Sequence, residues 1–111
     1  MITLKNELLA AAIHPTGAEL QSLKHATGIE YMWQAGAAWP KHSPVLFPIV
    51  GSLKSNSYFY GGNEYFLPRH GFAREMGFEA KTLNETDAIF TLCSTAETLN
   101  KYPFHFQLSL R

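Results

Sequence analysis

The chain has 111 residues, nine basic side chains balanced by nine acidic ones, and 46% hydrophobic residues. That composition rules out general disorder, and zero net charge withholds the basic footprint that nucleic-acid binding needs. A single cysteine, Cys93, excludes an internal disulfide framework and a cysteine-rich zinc site.

The length is that of one domain. Charged residues make up only 16% of it, low for a surface that must all face water, which points to some of that surface being covered. The longest nearly apolar run, Leu8–Ile13, falls far short of the ~20 residues of a membrane helix and below the apolar core of a signal peptide. No membrane partner is expected, and a lone reduced thiol favours the cytoplasm.

Ile2–Lys5 alternates as a strand and turns at Asn6-Glu7. Leu8–His14 fits strand or helix: its alanines favour helix, while its short length and the Pro15/Gly17 punctuation favour strand. Ala18–His25, with Leu20 and Leu23, is closed by Ala26-Thr27-Gly28, and the aromatic-rich Ile29–Gln34 reads as a further strand. Short elements at this spacing predict an antiparallel sheet.

From Ala35 to Asn56 the texture changes. Pro40, Pro44 and Pro48, with Gly36 and Gly51, forbid a helix interior or a central strand. An apolar loop this long is expected to run under the domain or to line a site. Tyr58–Tyr60, Gly61-Gly62 and Asn63–Leu67 give the clearest hairpin in the chain, because a Gly-Gly pair supplies the positive φ of a two-residue turn. Phe78–Leu83 and Ala88–Ser94 are predicted strands joined by a turn over Asn84–Asp87. Thr95–Lys101 reads as a short helical turn. Phe104–Leu110 closes the chain as a strand with Phe104, Phe106, Leu108 and Leu110 on one face.

The chemistry concentrates in "FLPRHGFAR", Phe66–Arg74. His70 brings an imidazole, a side chain that can give or take a proton. Gly71 lets the backbone turn sharply beside it, and Arg69 and Arg74 add fixed positive charge suited to a hydroxylated or anionic ligand. The plainer reading is a turn histidine bonded to a nearby carbonyl, with both arginines solvated. His14, His25, His42 and His105 lack metal-site spacing, so no metal is expected. Ser43 and Ser52 sit in no nucleophile elbow, and no helix follows Gly61-Gly62 to make a phosphate loop. Tyr31, Trp33, Trp39 and Phe47 gather around the long loop, either as core or as a stacking platform for sugar rings.

The ordered set "SPVLFPIVG", "LKSNSYFYGGNEYFLPRHGFAR" and "YPFHFQL" resembles the aldose 1-epimerase (galactose mutarotase-like) family over essentially the whole chain. The branch it looks most like is the bacterial one found with lactose and tagatose genes. The resemblance implies an all-β fold, an antiparallel β-sandwich of which residues 1–111 form the N-terminal portion. The missing C-terminal part is then the partner this portion would need. It implies interconversion of the α and β anomers of a hexose or hexose phosphate, with no cofactor. His70 matches a site histidine that contacts the sugar near the reacting oxygens and carries the catalytic assignment. Arg74 matches the motif arginine and Arg69 is its neighbour, both as substrate contacts. The family's glutamate base and its mid-chain acid histidine belong to regions beyond this match. Ser52 stands where many relatives carry an arginine, with Lys54 a candidate substitute. A non-catalytic carbohydrate-binding β module is the rival reading, and an inert fragment with exposed strand edges a third.

Overall fold

A computed structural model describes residues 1–111. The strands are β1 (Ile2–Lys5), β2 (Leu9–His14), β3 (Glu19–His25), β4 (Ser57–Tyr60), β5 (Asn63–Phe66), β6 (Glu79–Asn84), β7 (Asp87–Cys93) and β8 (Gln107–Leu110), with one short helix, α1 (Ala96–Lys101). They form three antiparallel sheets, β1-β2-β3, β4-β5 and β6-β7-β8. The predicted antiparallel all-β architecture is the observed one.

Alternation in β7 sets the core. Ala88, Phe90 and Leu92 are buried on one face of the strand, while Cys93 at its end is a free, exposed thiol. Leu108 and Leu110 of β8 and Ala80 of β6 join that face, and Ile2, Leu4 and Ile13 of the first sheet close over it. At the hairpin, Gly61 and Gly62 both take positive φ, +56° and +80°, as a two-residue turn demands. Its inner face stacks Tyr58 on Tyr65, and the Tyr58 hydroxyl donates to the Lys101 carbonyl at the end of α1, 2.7 Å away. Burial raises the pKa of that phenol, with smaller contributions from Tyr102 and Tyr65.

The structure resolves Leu8–His14 as strand, since β2 is the central member of its sheet and pairs on both sides. Two expectations are corrected. Ile29–Gln34 forms no strand. A single bridge joins Glu30 to Lys24, and the Glu30 carboxylate organises the segment instead. It accepts the Leu23 and Met32 amides at 2.8 and 2.9 Å, and the Ser22 hydroxyl as well. Those bonds, the Ser22 hydroxyl first, hold its pKa below the ordinary carboxylate value. The closing strand begins only at Gln107. Phe104 leaves the ladder to pack at a tilt against the rings of Tyr60 and Tyr102.

The molecule is a thin slab, 56 × 35 × 15 Å, with a radius of gyration of 16.6 Å. A compact domain of this length has about 13 Å. Its accessible surface is 7386 Å², against about 6,200 Å² for a compact monomer of its mass. The excess shows as exposed Val50, Phe59 and Phe66, the last two on one face of the hairpin.

Candidate functional site

The site is built on the turn that follows β5. Leu67 is buried beneath it, and Phe72 and Ala73 are buried just beyond. His70 and Gly71 both take left-handed φ, +65° and +71°. Histidine tolerates that region better than most residues, and Gly71 has a second reason to be glycine. A Cβ there would lie 2.2 Å from the Phe47 carbonyl oxygen. That carbonyl accepts the Phe72 and Ala73 amides at 3.0 and 3.1 Å. The Phe47 ring packs on Phe72, Tyr102 and Phe106, with Phe106 nearest at 4.9 Å between centroids. The Phe47-Pro48 peptide bond is cis. The apolar loop runs into the core at Phe47, as expected, and meets the turn at Gly51.

From the other side, the turn between β2 and β3 presses on the same segment. Gly17 donates to the Met76 carbonyl at 2.8 Å, and a Cβ on Gly17 would sit 2.7 Å from the Arg74 carbonyl oxygen. Phe78 donates to the Pro15 carbonyl at 3.0 Å. Backbone contacts from two distant segments therefore fix the turn before any side chain is considered.

The side chains sort as follows. His70 is half-buried; the Gly51 amide donates to its Nδ1 at 2.8 Å, and its own amide returns a bond to the Gly51 carbonyl at 2.9 Å. The Arg69 Nε lies 3.3 Å from His70 Nε2. Arg74 reaches back and donates to the Arg69 carbonyl at 3.1 Å. The three residues singled out from the sequence thus share one turn. The partner of the ring is a backbone amide rather than a carbonyl, so the plainer sequence reading has the polarity reversed. Ser52 and Lys54 are exposed and make no side-chain bond to the turn. Of the aromatics, Phe47 is core, whereas Tyr31, Trp33 and Trp39 are exposed, with the Trp33 indole donating to the Trp39 carbonyl.

Sequence reasoning did not find two further features. Gly51 pairs with His70 across nineteen residues, which no local pattern reveals. A cavity of about 330 Å³ beside Arg74 is lined by Glu19, Pro40, Lys41, His42, Pro44 and Glu75. Within it His42 Nδ1 lies 3.7 Å from Glu19. His70 and Arg69 do not line this cavity.

The fold is an antiparallel all-β architecture that displays a His-Gly turn flanked by two arginines. The family model for aldose 1-epimerase matches residues 1–111, and the chain belongs to that family. It is 38% identical, over 96% of its length, to the plasmid form of protein LacX from Lactococcus lactis subsp. lactis, and 37% identical to the chromosomal form. A galactose mutarotase-like protein from Lactobacillus casei ATCC 334 superposes with a TM-score of 0.92 at 39% identity, over 98% of this chain and 38% of that one. A galactose mutarotase related enzyme from Lactobacillus acidophilus gives 0.92 at 44% identity, over 97% of this chain and 37% of that one. The Slr1438 protein from Synechocystis sp. PCC 6803 gives 0.81 at 26%, over 97% of this chain and 42% of that one. The chain spans 38% of the length of the curated relatives it matches.

Proposed function

We propose that this chain supplies one part of an aldose 1-epimerase site, in which His70, Arg69 and Arg74 hold the oxygens of a hexose or hexose phosphate. The observation that carries the reading is the turn itself. Its backbone is locked by Phe47 and Gly51, and it presents an imidazole and a guanidinium side by side. Anomer exchange opens the ring to the aldehyde and closes it on the other face. That needs a base at the anomeric hydroxyl and an acid at the ring oxygen, acting together. His70 is the one candidate here for contact with the reacting oxygens, and Arg74 with hydroxyl or phosphate oxygens. The acid–base pair is proposed to be completed by the further length that the relatives have, with residues 1–111 as a partial β-sandwich domain. The exposed apolar side chains Val50, Phe59 and Phe66 support this, and a free thiol at Cys93 is in keeping with the cytoplasm.

The test is exchange spectroscopy on the α and β anomers of D-galactose. The 111-residue chain alone is expected to leave the exchange rate at background. A protein of the relatives' length is expected to accelerate it and to lose that acceleration on His70→Ala. Exchange by the short chain that disappears in His70→Ala would overturn the dependence on further residues. The exposed indoles of Trp33 and Trp39 favour a second reading, a carbohydrate-binding module without chemistry. Saturable D-galactose binding without exchange at either length would select it.

A further inference from the structure

A neutral imidazole has one lone pair and one N–H, yet two N–H groups are aimed at the His70 ring. The Gly51 amide points at Nδ1 from 2.8 Å, and the Arg69 Nε–H points at Nε2 from 3.3 Å. One ring nitrogen must carry the proton, so one of these donors faces another donor. The two contacts are unequal. Gly51 is half-buried and tied to His70 in both directions, amide to ring and carbonyl to amide, so its N–H has nowhere else to turn. Arg69 is exposed on a flexible stem, and its N–H reaches water by a rotation. Gly51 therefore takes the lone pair.

We propose that Gly51 is a positioning residue that holds His70 in its Nε2–H tautomer, so that the outward nitrogen is a hydrogen-bond donor to a sugar oxygen. This rests on the reading of His70 as a sugar contact. In that state Nε2 takes no proton from the anomeric hydroxyl. It stabilises the negative charge that builds on a ring or hydroxyl oxygen as the ring opens. Arg69, whose N–H would then face the Nε2–H, is free to rotate toward the same ligand. A second-neighbour backbone group that fixes a histidine tautomer is a recurrent device in polar sites.

The experiment is NMR on uniformly 15N-labelled intact protein. The expected result is a through-hydrogen-bond coupling between the Gly51 amide nitrogen and His70 Nδ1, with the ring proton on Nε2. Both signals are assigned by their loss in His70→Asn. No coupling, or a proton on Nδ1, overturns the proposal without touching the mutarotase reading. The functional part is read from KM for D-galactose in a protein of the relatives' length. His70→Gln carries an N–H donor out to the Nε2 position, whereas the shorter side chain of His70→Asn keeps an acceptor for Gly51 at the Nδ1 position and places no N–H that far out. KM is expected to rise at least about tenfold more in the Asn variant, and equal rises overturn the donor role. If the coupling is present while the wild-type protein neither binds nor exchanges D-galactose, the positioning by Gly51 stands and the sugar-site reading falls.

Discussion

Replacing Gly71 with alanine tests whether the candidate site is held by its backbone. Two costs add. An alanine at φ +71° bears a left-handed penalty of about 1–2 kcal/mol. Its Cβ would also lie 2.2 Å from the Phe47 carbonyl oxygen and 2.7 Å from Pro48 Cδ, so the loop must retreat by about 1 Å. That retreat stretches two hydrogen bonds to the Phe47 carbonyl, now 3.0 and 3.1 Å, each worth about 1 kcal/mol. The sum is about 3–4 kcal/mol out of the roughly 5–15 that a domain has. With a urea dependence of about 1–3 kcal/mol per molar, the midpoint should fall by about 2 M. Gly62→Ala is the control. Its φ is +80° but nothing lies within 4 Å of the added Cβ, so only the conformational penalty remains. Urea melts of the two variants followed by far-UV circular dichroism decide the matter. Equal midpoints would refute the claim that the Phe47 carbonyl clamps this turn.

The other expectations can be checked with the same material. Thr95→Ala removes the acceptor for the Thr98 amide in the capping box of α1 and should cost about 1 kcal/mol in urea unfolding; no change would show that the cap is idle. The Glu30 carboxylate has its pKa depressed by its folded partners, so its contribution is present above its unfolded pKa and is lost as pH falls through the lower folded value. Exchange protection of the Leu23 and Met32 amides should therefore be full at neutral pH and fade on acidification. Glu30→Gln should already show the loss at pH 7, and identical protection at both pH values would refute the assignment. Phe59 and Phe66 are 74% and 60% exposed on one hairpin face. Phe59→Ser with Phe66→Ser should lessen self-association of the 111-residue chain in sedimentation velocity while shifting stability by no more than about 0.5 kcal/mol each.

Legibility followed the range of the interactions. The β4-β5 hairpin was readable because its turn is coded by two adjacent glycines, and β7 because its alternating burial is local. Leu8–His14 was ambiguous for a physical reason. As the central strand of its sheet, β2 is half-buried at every position and shows no alternation. Ile29–Gln34 forms no strand because its β-forming aromatics face solvent, while the organising role falls to the one charged residue, Glu30, whose partners lie on β3 and at Met32. The His70 turn was visible as a glycine and two arginines around a histidine. Its lock was not, since Phe47 and Gly51 act through main-chain atoms that carry no sequence signature.

Burial in this chain is sparse and unevenly spent. Eleven residues are buried, and among them Leu67, Gly71, Phe72 and Ala73 belong to the turn, with Gly17 and Ala18 of the segment pressing on it. Rigidity is therefore concentrated where His70 is displayed, although the slab as a whole is thin. That arrangement suits a site, because a donor held within a fraction of an ångström needs a backbone that cannot give. Phe47 carries both halves of the coupling. Its ring is seated among Phe72, Tyr102 and Phe106, and its carbonyl grips the Phe72 and Ala73 amides. A substitution that loosens that ring would move the His70 imidazole through the main chain alone. The position of the candidate catalytic group is thus a property of the core rather than of the turn's own sequence.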